Sequence, residues 1–409
     1  MQLKTITELL DLPNVKVISM HDTPKNAIYL DVELIKFTQP VCSECGIIHN
    51  SAVHSKGFIY VEDLPISGKR VYISVPKRKI RCPKDNRIRV EQLDWLKGRF
   101  TARFANQVYR LTSITTNTEA GWYLGLDDET VYRIDRSTLE ELANQKLTPT
   151  PTPTLMSVDE VAWQKWHKYV TNVVDIEQRK VIWNHDGRGK DTLDAFFKVI
   201  GPGNSSNIEA VSCDGARGYL SSIKQNAKNA LIVLDHFHVK SYLNDALDRV
   251  RKDQLKIARK NNNAELADLL HCRKKFILMQ GKPSKRKLNV IDELANLNNE
   301  VYRAMLLKEQ FVEVYRSDSR KSAQAGLRQW ISAALSSGIK PFEELAMKFF
   351  RKRHLILNYF VQRITTAISE GINNKIKRLK RMAYGYKDVS YFLLKIHQHC
   401  GLLNPRLST

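Results

Sequence analysis

The feature that most constrains the fold is the order of strand and helix patterns that follows a proline-rich segment. Threonine and proline alternate over residues 148–154, which predicts a stiff, extended linker because proline blocks both helix formation and ladder pairing. Beyond this linker, three strand-like runs follow one another, and helix and strand patterns then alternate. The predicted strands span residues 155–158, 168–174, 180–185, 208–213 and 230–234, and the predicted helices span 190–200 and 216–226.

Three successive strands followed by alternating helices and strands match the order of a ribonuclease H-like core. We therefore predict an α/β core whose first part is residues 155–240. Residues 241–350 are almost purely helical in pattern and predict an all-α insertion, after which residues 351–409 complete the core. Ahead of the linker, strand-like runs at Phe58–Val61 and Val71–Val75 predict a hairpin within a small β domain, residues 1–97. Helical patterns predict a helix-turn-helix in residues 98–147.

Three carboxylates have distinctive local settings. Asp159 ends one apolar run, Asp214 ends another, and Glu370 lies on a basic helix. An acid that ends an apolar run is expected at the sheet edge where sites form in α/β folds. Two such acids and a third from a late helix suit a two-metal phosphodiester site, because Mg²⁺ prefers oxygen ligands and keeps positions open for phosphate oxygens. Either aspartate alone also fits the role of N-cap for the following helix.

Two further residues follow the last predicted strand at a comparable edge. Asp235 is a candidate additional ligand or supporting residue, and His238 is a candidate for orienting a carboxylate or a phosphate. A histidine next to an apolar strand also fits a core position. Glu160 is expected on the opposite side of its strand from Asp159, since side chains alternate along a strand.

The positive charge is concentrated in the last part of the chain. The net charge is +22, and residues 241–409 contain 33 lysines and arginines against 15 acids. This distribution favours a surface that binds a polyanion such as double-stranded DNA, although a solvated lysine-rich surface has the same composition. The sequence has no apolar stretch of about 18 residues and predicts a soluble, cytoplasmic protein. The candidate DNA-binding residues are Arg133 and Arg136 in the helix-turn-helix, which also fits a plain helical hairpin, and Lys375, Lys377, Arg378, Lys380 and Arg381 beside Glu370.

Two of the six cysteines lie in a C-x-x-C pair. Cys42 and Cys45 form the pair, and Cys82 begins a second knuckle in which Asp85 stands where a fourth thiolate is expected. Zinc binds thiolates tetrahedrally, so these four residues predict a possible structural zinc site in a zinc-ribbon-like element. His49 and His54 are alternative fourth ligands, and a degenerate knuckle without metal is the other interpretation.

Taken in order, these motifs resemble those of the ISL-three family of bacterial insertion-sequence transposases. The resemblance covers Cys42–Cys45 with Arg81–Pro83, Asp63–Pro65, Ser157–Glu160, Asp214–Ala216 and Asp235–His238. It ends with the long run from Ser369 to Tyr386, which is its most specific part. The resemblance implies a DDE transposase with Asp159, Asp214 and Glu370 as catalytic residues and ligands of two Mg²⁺ ions, for which Mn²⁺ is expected to substitute.

The same resemblance implies DNA as the partner and a mechanism without a covalent enzyme–DNA intermediate. Water activated at the metal site would cut the element's ends, and the resulting 3′-hydroxyl would attack target DNA. Action on two ends favours a homodimer, and a bacterial element implies association with the nucleoid. Two alternatives remain: a structure-specific nuclease that cuts without strand transfer, and a catalytically silent, transposase-derived repressor.

Overall fold

The structure, a computed structural model, describes residues 3–23, 26–34, 40–47, 53–82, 84–164, 166, 168–278, 284–364 and 367–407. The chain divides into two compact units, an amino-terminal unit (Met1–Ala143) and a carboxy-terminal unit (Asn144–Leu407). Across the described ranges, no helix combines the length and the apolar character needed to cross a bilayer.

The amino-terminal unit is built on a mixed β-sheet followed by three helices. Its sheet has the order β1-β2-β4-β3-β7-β6, with β5 paired to β4. The predicted hairpin is confirmed, because β3 and β4 pair antiparallel and bury Val61, Val71, Ile73 and Val75. The elements are α1 (Leu3–Leu10), β1 (Val15–Thr23), β2 (Ala27–Leu34), β3 (Val53–Ile66), β4 (Lys69–Arg81), β5 (Ile88–Val90), β6 (Leu96–Lys97), β7 (Phe100–Thr101), α2 (Ala102–Thr112), α3 (Asn117–Leu124) and α4 (Asp128–Lys146).

Local signals set the ends of the three helices. The Thr101 side chain caps α2 by accepting a hydrogen bond from the backbone N–H of Phe104. Gly125 ends α3 with φ of 69°, a left-handed conformation that glycine adopts without steric cost. The Asp127 carboxylate then accepts from Thr130 N at 2.8 Å at the start of α4. These caps place two helices on either side of a short turn, as the sequence predicts.

The carboxy-terminal unit has a five-stranded sheet with the order β10-β9-β8-β11-β12. Strand β9 pairs antiparallel with β8 and β10, whereas β8, β11 and β12 are parallel. The elements up to the last strand are β8 (Leu155–Gln164), β9 (Lys168–Asp175), β10 (Lys180–Asp186), α5 (Lys190–Ile200), α6 (Pro202–Ser205), β11 (Ala210–Cys213), α7 (Arg217–Asn226) and β12 (Leu231–Leu234).

Helices cover both faces of this sheet. On one face α5 and α7 pack with the start of a large helical region, and on the other α16 and α17 pack against Val161, Trp163 and Val170. The helices are α8 (His236–Lys260), α9 (Ala264–Cys272), α10 (Lys274–Leu278), α11 (Lys285–Leu297), α12 (Asn299–Tyr315), α13 (Arg320–Leu335), α14 (Lys340–Arg351), α15 (Arg353–Asn358), α16 (Ala367–Met382) and α17 (Val389–Cys400). Pro405–Leu407 form a short 3₁₀ helix.

The structure corrects one predicted strand end. The sequence predicts that the first strand of the core stops at residue 158, immediately before Asp159, but β8 continues to Gln164. The extension forms because β9 pairs antiparallel with β8 as far as Gln164, whereas the parallel partner β11 pairs with β8 only as far as Ser157. Asp159 therefore lies within a strand, just beyond the end of its parallel neighbour.

Candidate active site and cysteine cluster

Three aspartates lie at the same level along three adjacent parallel strands: Asp159 within β8, Asp214 directly after β11 and Asp235 directly after β12. Ser157 of β8 is in register with Ser212 of β11, and Cys213 of β11 is in register with Leu234 of β12. Asp159 and Asp214 are thus each two positions beyond a paired residue, and Asp235 directly follows the residue paired with Cys213. Since adjacent strands lie about 4.8 Å apart, the register brings three carboxylates to one edge of the sheet.

Asp159 contacts side chains from two helices, α8 and α16. Its Oδ1 accepts from Glu160 N at 2.7 Å and lies 3.8 Å from Nε2 of His238. Its Oδ2 accepts a hydrogen bond from Nδ2 of Asn373 on α16. Potential ligand atoms of Asp159, Asp235 and His238 all lie within 4.8 Å of one another. Asp235 and His238 therefore lie close to Asp159.

The neighbouring acids act on the His238 imidazole. Its pKa is raised above the usual value, first by the direct interaction with the Asp159 carboxylate and then by the charges of Asp159, Asp235 and Asp214, against the opposing effect of burial. An imidazole held in this way fixes the orientation of the carboxylate that it contacts.

Asp214 and Asp235 also organise the backbone that follows them. Asp235 caps α8 by accepting from Phe237 N at 2.7 Å, and Asp214 accepts from Ala216 N at 2.8 Å. Asp235 is therefore the N-cap of α8, whereas the N-cap residue of α7 is Ala216 and not Asp214. These bonds fix both side chains at the strand ends.

Glu370 lies on α16, which packs against β8. The helix is tied to β8 by the buried hydroxyls of Ser157 and Ser369, whose oxygens are 2.5 Å apart, and by the bond from Asn373 to Asp159. Glu370 is exposed in the first turn of α16, three residues before Asn373. Within the described ranges, neither Glu370 nor Asp214 belongs to the group of ligand atoms closer than 4.8 Å. The structure thus places Glu370 one turn from a residue that contacts Asp159.

Several side chains that the sequence did not single out support this edge. Glu160 points to the opposite side of β8, as predicted, where it accepts from the Tyr219 hydroxyl at 3.1 Å. The same hydroxyl is 3.1 Å from Oγ1 of Thr171. Burial is the main cause of a raised pKa at Glu160. Tyr219 and Thr171 were missed because each meets its partner only after folding, and no local motif marks them. Asn373 lies in the motif from Ser369 to Tyr386, but that motif does not show its bond to Asp159.

One buried amide lies directly opposite Asp159. Asn172 of β9 is in register with Asp159 and is 1% exposed, and neither polar atom of its side chain has a hydrogen-bond partner among the described residues. Together with the three aspartates, it provides a set of oxygen donors. This chemistry fits a hard divalent cation such as Mg²⁺.

The predicted DNA-binding residues divide into exposed and engaged side chains. Lys380 donates from Nζ to the carbonyl of Ala162 at 2.8 Å, so part of its role is to hold α16 on β8. Arg136 bonds to Glu140 at 2.8 Å and to the Tyr132 hydroxyl at 2.7 Å. Arg133 is exposed and also donates to the Thr130 hydroxyl at 3.1 Å. The other exposed side chains are Lys375, Lys377, Arg378 and Arg381.

In the amino-terminal unit, three cysteines form a compact cluster. The sulfur atoms of Cys42, Cys45 and Cys82 lie within 4.8 Å of one another, and those of Cys45 and Cys82 are 3.7 Å apart. Tetrahedral Zn–S bonds of about 2.3 Å would separate two sulfurs by about 3.8 Å. The geometry therefore fits zinc.

The predicted candidates for the fourth zinc ligand of the cluster are Asp85, His49 and His54. Asp85 accepts from Arg89 at 2.6 Å and from Arg87 N at 3.0 Å, and the Arg89 bond is the main cause of a pKa lowered to about 2. Its carboxylate is outside the group of sulfurs within 4.8 Å. His49 and the side chain of His54 lie outside the described residues.

Comparison with known proteins gives two family matches, one over each of these regions. A family model of ISL-three type, described as transposase, matches residues 156–396. A second, described as the zinc finger of transposases IS204/IS1001/IS1096/IS1165, matches residues 38–85. The first range contains the aspartate edge and α16, and the second contains all three clustered cysteines.

Similar whole proteins come from two bacteria. The chain is 31% identical over 362 residues to the transposase for insertion sequence element IS1001 of Bordetella parapertussis, with 87% of each chain covered. It is 28% identical over 252 residues to the transposase for insertion sequence element IS1557 of Mycobacterium tuberculosis, with 57% of this chain and 56% of that protein covered.

Proposed function

This chain belongs to the ISL-three family of insertion-sequence transposases, and from that premise we propose that it cuts DNA at the ends of its element and joins the freed 3′-hydroxyl to target DNA. The observation that supports this most strongly is the register of β8, β11 and β12, which places Asp159, Asp214 and Asp235 at one level at the same edge of the sheet. The strand order β10-β9-β8-β11-β12, with β9 antiparallel, supports the assignment of a ribonuclease H-like core.

The proposed site uses divalent metal, as the DDE family implies. Asp159, Asp214 and Glu370 are the proposed ligands, with Asp235 beside them. When bound, Mg²⁺ supplies Lewis-acid stabilisation of the phosphate and lowers the pKa of a coordinated water or hydroxyl. Mn²⁺ is expected to substitute because it also accepts carboxylate and water ligands.

The protein's own side chains set the geometry of that site. His238 and Asn373 each hold one oxygen of Asp159, which restricts the orientations of this carboxylate. Asn373 also fixes the turn of α16 that carries Glu370. The fold therefore holds these acids in place before the DNA strand binds, so that less entropy is lost when they are aligned with it.

The remaining parts have proposed roles in DNA binding. The exposed cations Lys375, Lys377, Arg378 and Arg381 would contact phosphates near the cleavage site, and the α3–α4 helix-turn-helix, with Arg133, would read the inverted repeats. The cysteine cluster would hold one structural zinc. The partner is double-stranded DNA of the bacterial nucleoid, reached in the cytoplasm by a homodimer that brings two ends together.

The test is cleavage of DNA that carries the two inverted repeats flanking this reading frame, with Mg²⁺ present. Asp159→Asn should reduce cutting by about 10³-fold, because several kcal/mol of charge stabilisation is lost, while DNA binding persists. Asp253→Asn, a matched change at an exposed position of α8, should cut normally. Cutting retained by Asp159→Asn would remove Asp159 from the site.

The products of this assay separate the alternatives. Cut ends joined to a target support a transposase, and cut ends that are never joined indicate a nuclease. Binding without either product indicates a silent repressor.

A further inference from the structure

Two lysines, Lys348 at the end of the helical insertion and Lys352 just beyond it, approach the loop that follows Asp214. Lys352 directly follows α14 and donates from Nζ to the carbonyl of Gly215 at 2.7 Å. Gly215 has φ of 75°, and a Cβ at this position would lie 3.0 Å from that Nζ and 2.8 Å from Cδ1 of Leu234. The loop is therefore closely packed against Lys352, the residue that directly follows α14.

Lys348 lies one helical turn earlier, on the same face of α14. Its Nζ is 3.0 Å from the ring centroid of Tyr242, and the Tyr242 hydroxyl donates to the carbonyl of Asp214 at 3.5 Å. Lys348 is half-buried, and no carboxylate of the described residues lies within 4.0 Å of its ammonium. An aromatic face attracts a cation without neutralising its charge, so Tyr242 holds a positive charge beside Asp214.

The surroundings of Lys348 are electrostatically unusual for a purely structural lysine. Its pKa is lowered by burial and by the charge of Lys352, and the charges of Asp214 and Asp245 oppose this shift. Two like charges at i and i+4 on a helix repel each other. A lysine whose only role is to pack on Tyr242 would gain nothing from the nearby charge of Lys352. A bound anion, in contrast, would be attracted by the ammonium groups of both lysines.

We propose that Lys348 binds a phosphate of the DNA strand beside Asp214, so that the helical insertion supplies a substrate-binding residue to the cleavage site. The inference rests on the proposed function, since it requires DNA at the aspartate edge. Lys348 then binds the phosphate while Lys352 remains bonded to the loop.

The experiment measures binding rather than cutting. The Asp159→Asn protein, without added divalent ion, is titrated with a duplex of one element end and its flanking DNA. Lys348→Gln should weaken binding about tenfold, as expected for a lost charge-assisted hydrogen bond, and should lower the salt slope by about one. Lys348→Arg should restore most of the affinity. Lys340→Gln, on an exposed residue of the same helix, is the matched control, and thermal unfolding verifies that each variant is folded.

A set of duplexes, each with one neutral methylphosphonate near the cleavage position, locates the contact. If Lys348 binds one phosphate, neutralising that phosphate and replacing Lys348 should together cost no more than either change alone. The inference would be overturned if the substitution and the neutral phosphate reduced the affinity independently at every phosphate tested. It would also be overturned if the Lys348→Gln protein bound DNA as tightly as its parent. Failure of the parent to bind any end duplex would overturn the proposed function itself.

Discussion

The contact between Ser157 and Ser369 offers a sharp test of how the acids are held together. Both side chains are 3% exposed, and their oxygens are 2.5 Å apart. Removing one hydroxyl leaves the other buried without this partner, which costs about 1–3 kcal/mol, whereas replacing both by alanine is close to neutral. We therefore expect Ser157→Ala and Ser369→Ala each to destabilise by about 2 kcal/mol, and the double variant by less than about 1 kcal/mol.

Calorimetry of the full chain measures this effect. For a unit of this size, a loss of about 2 kcal/mol lowers the Tm by about 4–8 °C. Ser212→Ala is the matched control, because Ser212 is a buried serine of the adjacent strand whose hydroxyl has no partner among the described residues. It should leave the Tm almost unchanged.

The same variants report on function. Since the Ser157–Ser369 contact ties α16 to β8, Ser369→Ala should also slow DNA cleavage, and Ser212→Ala should not. The reasoning is refuted if Ser369→Ala behaves like Ser212→Ala, or if the two single losses add in the double variant.

Two other perturbations test the cysteine cluster and the core. Cys82→Ser should lose bound zinc, measured by metal analysis, and should lower the Tm of the amino-terminal unit. Cys272→Ser, at an exposed site, should do neither. Equal zinc content in both variants would exclude the cysteine cluster as the zinc site. Burial lowers the pKa of His397 to about 4, below its unfolded value of about 6.5. Stability from this neutral histidine is present above pH 6.5 and is lost as the pH falls towards 4, by up to about 3 kcal/mol. Urea unfolding across this range should show a shallower pH dependence for His397→Gln, and an unchanged dependence would contradict the assignment.

Local patterns were enough to predict much of the fold. The hairpin of β3 and β4, the helices α2 to α4 and the order of elements in the core follow from alternation, caps and turns that lie within short windows of sequence. The predicted strand ends before Asp159 because the run of apolar residues stops at Val158. The observed strand β8 continues because it pairs with β9.

The supporting side chains of the site could not be predicted in this way. Asn373 is 214 residues from Asp159, and Lys352 is 137 residues from Gly215. Their contacts arise from the packing of helices on a sheet, which no periodicity of either segment encodes. The cysteine cluster was predictable because two of its members are three residues apart and zinc chemistry relates the third to them.

The position of α16 in the chain imposes an order on biosynthesis. Ser157 and Ser369 meet across 212 residues, so at about 5–20 residues per second a ribosome needs about 10–40 s after making β8 before the helix that completes this edge exists. During that interval the growing polypeptide carries aspartates but no Glu370. Under the proposed function, a message interrupted within the insertion would yield a product without Glu370, and DNA cleavage would have to wait until α16 has been made.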